Sequence, residues 1–450
     1  MKKLFGTDGI RGIVNTHPIT PEVALQLGKA IALYYNSKNL DTRHMAVIGK
    51  DTRLSGYMLE TALTSGLLSM GMNVLAVGPM PTPAIAHLIK SFAGTCGIMI
   101  TASHNPYKDN GIKLFGPKGF KLPDEVELEI EKIMFNGEIS GAHIGTKQLG
   151  KAYRIDDARG RYIEFAKSSI KSASLKGLKI VLDCANGAGY CIAPWIFKEL
   201  GAEVVKVAYE PDGVNINKNC GAMYPNNISN LVRQHRADVG ICLDGDADRL
   251  IMLDSNGAVV NGDRLLAMCA IDHKERGKLA NNTLVTTVMS NLGLKHAMKR
   301  EGINVETTDV GDRYVIECMR DGGFNIGGEQ SGHIIFMDYV TTGDGIISAL
   351  HILRMMLRKQ KNLSELANCM EEFPQILKNI KVSKKLPIKE VPELDSIIQK
   401  CEKDLGNDGR VLVRYSGTEN LMRVMIEARK YEIAEDWTGK IIKVVEQHLI

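Results

Sequence analysis

Long apolar runs are missing from this 450-residue chain. Nowhere do about 18 uncharged apolar residues follow one another, so no transmembrane helix is expected. The opening Met1-Lys2-Lys3-Leu4-Phe5-Gly6-Thr7-Asp8-Gly9 turns polar and glycine-rich too soon for a signal peptide. The nine cysteines form no CxxC pairs, which argues against a disulfide scaffold or structural zinc and suits buried thiols in a reducing cytoplasm. Neither charge dominates: 56 basic against 52 acidic side chains leave +4, no reason to expect nucleic acid or an acidic membrane as partner. No G-x-x-x-x-G-K-[ST] occurs, so a nucleotide P-loop is unsupported. Aromatics are low at 6 % while glycine is high at 44 residues, a balance that suits tight strand-to-helix turns better than a helical bundle or β-sandwich.

What is present is alternation, over a length that suggests roughly three or four domains. Thr20-Pro21-Glu22 opens a helix through Tyr35, with threonine as cap and proline in the first turn. Strands at Met45–Gly49, Asn73–Val77 and Ile98–Ile100 alternate with helices at 57–70 and from Thr82, predicting an open, mostly parallel sheet. Charged helices follow at Asp124–Asn136 and up to Lys171. The pattern resumes with strands at Leu178–Leu182, Glu203–Val207 and Ala237–Leu243, separated by the long polar segment Glu210–Asn227, and again at Thr283–Thr287 and Val305–Thr308. Past a linker at 371–376, Lys381–Pro387, Arg410–Arg414 and Val424–Ala428 read as strands, Val391–Leu405 and 431–448 as helices. The expected fold class is α/β: three consecutive mixed-sheet α/β domains (1–155, 156–253, 254–370) plus a smaller C-terminal α+β domain (371–450).

The chemistry concentrates in a few loops. Leu243-Asp244-Gly245-Asp246-Ala247-Asp248-Arg249 sets three carboxylates at alternate positions just past a buried strand. On a straight strand they would lie about 6.8 Å apart, so the backbone must curl for them to share an ion, and Gly245 and Ala247 permit it. Carboxylate-only ligation points to a hard cation, Mg2+ first, because three acids this close repel one another without one. An EF-hand would need glycine at Arg249 and glutamate at Ser255. Arg249 can neutralise an anion bound on that ion.

Gly97-Ile98-Met99-Ile100-Thr101-Ala102-Ser103-His104-Asn105-Pro106 runs from an apolar strand into a polar loop, with Asp109-Asn110-Gly111 expected to turn tightly. Ser103 there is either a nucleophile or a cap. Phe5-Gly6-Thr7-Asp8-Gly9-Ile10-Arg11-Gly12 reads as a loop in which Arg11 pairs with a carboxylate or holds a phosphate, pairing being favoured. Val413-Arg414-Tyr415-Ser416-Gly417-Thr418-Glu419 is a phosphate nest or a capped helix start. Gly328-Glu329-Gln330-Ser331-Gly332-His333 offers groups that suit a polyhydroxylated ligand, although His333 alone could be structural.

Together these five stretches, in this order and across nearly the whole chain, resemble the α-D-phosphohexomutases, most of all their bacterial branch acting on glucosamine phosphates. The resemblance implies four domains around a central cleft and an enzyme of the intramolecular phosphotransferase class. It implies a phosphoserine at Ser103 and one Mg2+ held by Asp244, Asp246, Asp248 and a phosphoserine oxygen, with Arg249 assisting. Lys113 or His104 would handle the hydroxyl proton, the resemblance favouring Lys113. Arg11 and the loop carrying Glu329, Ser331 and His333 would contact the sugar, and Arg414, Ser416, Gly417 and Thr418 the phosphate not being transferred. The implied reaction interconverts glucosamine 6-phosphate and glucosamine 1-phosphate through a sugar 1,6-bisphosphate, feeding UDP-N-acetylglucosamine and peptidoglycan in the cytoplasm, by a monomer or homodimer. Phosphomannomutase or phosphoglucomutase activity, a non-catalytic sugar-phosphate binder and a magnesium phosphatase are the rivals. Two residues depart from the family pattern: Asn420 replaces a proline, and Ala247 replaces a glycine and must keep φ negative or bear strain.

Overall fold

The computed structural model describes residues 4–6, 8–38, 44–415 and 420–449. Contacts divide the chain into two compact units, Met1–Val288 with Ile303–Ala367 and Met289–Gly302 with Asn368–Ile450. Among the described residues the first unit holds three α/β sheets and the second one antiparallel sheet, the expected architecture.

In the first sheet the strands are β1 (Ile10–Ile13), β2 (Met45–Lys50), β3 (Asn73–Pro79), β4 (Cys96–Ile100), β5 (Asp109–Phe115) and β6 (Ala152–Arg154), in the spatial order β1-β5-β4-β2-β3-β6. Strands β4, β2, β3 and β6 run parallel, while β5 is antiparallel to both neighbours. Strand β2 lies inside this sheet, and its Ala46-Val47-Ile48 run is buried on both faces, as a central parallel strand requires. The helix Pro21–Lys38 starts as predicted, the Val23 N–H donating to Thr20 Oγ1 at 3.4 Å.

Two readings of this region need correction. The stretch read as a loop around Arg11 contains β1, and the expected turn at Asp109-Asn110-Gly111 is the start of β5, paired with it through Arg11↔Gly111 and Gly12↔Asn110. Turn-forming residues are tolerated in this strand because Asn110 bonds Ser55 and the Gly111 N–H. A Cβ on Gly111 would stand 2.6 Å from the Thr101 carbonyl oxygen, so only glycine fits the close approach.

The second sheet comprises β7 (Lys179–Asp183), β8 (Glu203–Val207), β9 (Val239–Leu243), β10 (Leu250–Leu253) and β11 (Val259–Val260), in the order β11-β10-β9-β7-β8. The third comprises β12 (Thr283–Thr287), β13 (Asn304–Thr308), β14 (Ile326–Gly328) and β15 (Ile334–Phe336), in the order β13-β12-β14-β15. Each of these two sheets carries an antiparallel hairpin, β9–β10 and β14–β15. Those hairpins present two of the expected functional loops at their tips.

In the second unit β16 (Gln375–Lys381), β17 (Gly409–Tyr415) and β18 (Leu421–Ala428) form an antiparallel sheet covered by the helices Pro392–Leu405 and Tyr431–Leu449. The strand expected at Lys381–Pro387 falls earlier, at Gln375–Lys381, where Ile376 and Ile380 reach this core, with Val382 joining it just past the strand's end.

Candidate active site

Ser103 sits where β4 ends. Its N–H donates to Thr101 Oγ1 at 2.9 Å, and its backbone lies in the left-handed region at φ 50°. A side-chain residue pays about 1–2 kcal/mol to stay there, so surrounding contacts must hold it. Although it sits on a loop, Ser103 is 1 % exposed. Its hydroxyl donates to Asp244 Oδ2 at 2.7 Å, and His104 Nδ1 lies 3.3 Å from Oγ.

Asp244 opens the tip of the β9–β10 hairpin, closed by the pair Leu243↔Leu250. The tip curls as the spacing of its acids required: one oxygen from each of Asp244, Asp246 and Asp248 lies within 4.8 Å of the others. The curl places Ala247 at φ 56°, so the strained alternative for that residue is the one realised. Gly245 is where this tip meets the Ser103 loop, since a Cβ there would stand 2.5 Å from the Ser103 carbonyl oxygen.

The acids are unequally compensated. Thr82 Oγ1 donates to Asp246 Oδ2 at 2.6 Å and Lys113 Nζ to the same oxygen at 3.0 Å, while Lys113 stands 3.5 Å from Asp248 Oδ2. Asp246 Oδ1 and Asp248 Oδ1 are buried with no hydrogen-bond partner, the nearest ring nitrogen to the latter, His333 Nδ1, being 3.6 Å away. Burial, then repulsion from Asp248 and Asp246, pushes the Asp244 carboxyl well above the usual range. Burial opposes ionisation of Asp248 too, but Lys113 and His333 hold it low. Two orphaned oxygens in an all-carboxylate set whose members repel one another fit a hard divalent cation.

Around them lie further charges. Burial disfavours the Lys113 ammonium, yet Asp246, Asp8 and Asp248 raise its pKa above the ordinary lysine value, so it stays protonated. Burial, then Arg249 and Arg11, pushes His104 down to about 4, leaving a neutral ring at neutral pH. Arg249 places Nε 3.9 Å from Asp248 Oδ1 and donates its backbone N–H to Asp244 Oδ1 at 3.1 Å. Arg11 pairs with Asp8, the favoured of its two readings.

The β14–β15 tip carries Glu329, Ser331 and His333. The Leu250 N–H donates to the Gly332 carbonyl at 2.9 Å, tying this tip to the base of the acidic hairpin. Glu329 is half-buried and accepts the Gly311 N–H at 3.1 Å, and Ser331 is exposed. His333 is buried instead, its Nε2 accepting the Gly343 N–H at 3.0 Å. Arg414 lies on β17 of the second unit, directly opposite Arg423 on β18. Ser416, Gly417 and Thr418 lie outside the described residues.

Several polar residues escaped sequence reading. Thr82 looked only like a helix start. Lys121 bonds Asp8 and, at 2.6 Å, Asp312 Oδ2. Arg423 Nε is buried without a hydrogen bond, on the strand opposite Arg414. Only the cross-strand register shows it.

Comparison with known proteins agrees with this geometry. Four descriptions of phosphoglucomutase/phosphomannomutase match in order: alpha/beta/alpha domain I over 2–140, domain II over 160–257, domain III over 261–373 and the C-terminal domain over 377–444. A phosphoglucosamine mutase of Citrifermentans bemidjiense is 54 % identical over 450 residues, covering 100 % of this chain and 99 % of that one. One of Desulfotalea psychrophila is 51 % identical over 99 % of both chains. A phosphoglucomutase/phosphomannomutase family protein from Burkholderia thailandensis shares the fold at TM-score 0.80 and 23 % identity, over 98 % of this chain and 97 % of that one. The chain therefore belongs to the α-D-phosphohexomutases, enzymes of the isomerase class, and within them to the phosphoglucosamine mutases.

Proposed function

We propose that the chain interconverts glucosamine 6-phosphate and glucosamine 1-phosphate by relaying a phosphoryl group through Ser103. One observation carries the reading: Ser103 Oγ lies 2.7 Å from Asp244 Oδ2, within a cluster of three acids. From phosphorylated Ser103 the phosphoryl group passes to the free hydroxyl of the hexosamine phosphate, forming a 1,6-bisphosphate and freeing the serine hydroxyl. The bisphosphate turns over in the cleft, and its other phosphoryl group returns to Ser103. Asp244, Asp246 and Asp248 would hold the divalent cation, Mg2+ by donor chemistry, which would neutralise charge on the transferred group.

Lys113 and Arg249 add fixed positive charge beside that group. His104, neutral and 3.3 Å from Ser103 Oγ, is the better placed of the two candidates to accept a proton, because Lys113 is already protonated. Glu329 and Ser331 present polar atoms to sugar hydroxyls, while His333 steadies Asp248 from behind. Arg414, Ser416, Gly417 and Thr418, joined by Arg423, hold the phosphate that stays. These roles fall in the functional segments 1–155, 156–253, 254–370 and 371–450. Nine cysteines with no CxxC pair among them suit the reducing cytoplasm that this substrate implies.

A coupled assay comparing glucosamine, glucose and mannose 6-phosphates tests the substrate. The glucosamine compound should give the highest kcat/KM. Preference for either of the others would move the protein to a neighbouring branch.

A further inference from the structure

The long polar segment Glu210–Asn227 has no part in the roles above, yet it sends one side chain to the reactive loop. Asn217 is 6 % exposed, and its Nδ2 donates to the Ser103 carbonyl at 2.8 Å and to the Asn105 carbonyl at 3.0 Å. From the other side Arg53, fully buried, directs Nη2 to the same oxygens at 3.3 Å and 2.5 Å. Asp51 pairs with that guanidinium and accepts the Arg53 N–H at 2.9 Å, so the arginine is itself fixed. Two donor groups thus satisfy both lone pairs of two carbonyls in a closed square. Two acceptors facing Asn217 also fix which end of its amide is nitrogen.

Placement gives the square its meaning. It grips the Ser103–His104 and Asn105–Pro106 peptide groups, just after the left-handed Ser103. A Cβ on Gly245 would stand 2.8 Å from Asn217 Nδ2, so the acidic tip rests against the same clamp. Asn217 follows β8 and precedes β9, the strand that leads into Asp244, and its own N–H donates to the Ala185 carbonyl at 2.9 Å. One sheet therefore supplies both the acids and a hold on the serine that faces them.

We infer that Asn217 and Arg53 are positioning residues for phosphoryl transfer, clamping the carbonyls of Ser103 and Asn105 so that the serine oxygen stays in register with the acidic hairpin. The inference rests on the phosphoserine reading. Neither side chain need touch the sugar. Loss of the clamp should therefore slow transfer and leave substrate affinity alone.

The test is single-turnover phosphorylation of dephosphorylated enzyme by glucose 1,6-bisphosphate, followed by intact mass, with steady-state kinetics alongside. Asn217→Ala should slow uptake and kcat by about 10²-fold, the scale of an ångström misplacement, with KM within twofold or so. Asn217→Asp keeps the volume but turns an acceptor toward two acceptors; it should slow uptake as much and carries the test should the alanine variant not fold. Uptake near the wild-type rate in a folded variant, or a loss confined to KM, overturns the clamp. Absence of uptake by the wild-type enzyme overturns the phosphoserine reading itself, and the inference with it.

Discussion

Ser103 and Asp244 stand 141 residues apart in sequence, yet the hydroxyl of one donates to the carboxylate of the other at 2.7 Å. The contact joins the end of a parallel strand in one sheet to the tip of a hairpin in the next. It draws a nucleophile-type oxygen into a pocket of carboxylates, where an anion-bearing serine is tolerable only beside compensating charge. The consequences below follow from that arrangement.

The orphaned oxygens of Asp246 and Asp248 predict that a divalent cation stabilises the folded chain. A ligand at about 100 times its Kd adds about 2.7 kcal/mol by mass action if it binds only the native state. Saturating Mg2+ should accordingly raise the Tm by several degrees, and Asp246→Asn should abolish most of the rise. Chelation should remove turnover, and returning Mg2+ should restore it.

His351 gives the third sheet a pH response remote from the acids. It stacks on Phe336 with ring centroids 4.6 Å apart, its Nε2 has no partner, and burial pushes its pKa down to about 3. A histidine depressed in the fold contributes fully above its unfolded value near 6.5, and that stability drains away as pH falls toward 3. His351→Phe should match wild type within about 1 kcal/mol at pH 7.5. At pH 5 it should be the more stable by about 2 kcal/mol. Urea melts at the two pH values check both.

In the C-terminal unit Glu427 is fully buried and accepts from Arg410 Nε at 2.6 Å, Gln375 Nε2 at 2.9 Å and the Leu292 N–H at 2.9 Å. Removing a buried acid from its partners costs about 3–5 kcal/mol. Glu427→Ala should lower the stability of this unit by that order in denaturant melts. The Mg2+-dependent rise in Tm, which originates in the other unit, should persist.

The candidate reacting groups were legible because they are chemistry placed at strand ends: Ser103 follows an apolar run, and Asp244, Asp246 and Asp248 follow another. Alternation located most strands for the same reason, since a strand buried on both faces must be apolar. Strands β1 and β5 escaped because their polar residues find partners inside the fold, as Asn110 does with Ser55. Arg53, Lys121 and Asn217 were equally hidden. Each works through a carbonyl or carboxylate tens of residues away, and no local spacing announces such a convergence. His333 was readable both as a polar loop residue and as a structural histidine, and its burial, which comes from Gly343 and Asp248 on other segments, fits the second reading.

The central claim is that a phosphoryl group resides on Ser103 during turnover. Intact-mass measurement after incubation with glucose 1,6-bisphosphate, on wild type and Ser103→Ala, addresses it directly. One phosphoryl group should appear on the wild-type chain and none on the variant, whose turnover should fall by more than about 10³-fold while its Tm stays within a few degrees. A variant that still gains the group, or that keeps turnover within tenfold or so of wild type, would contradict the account.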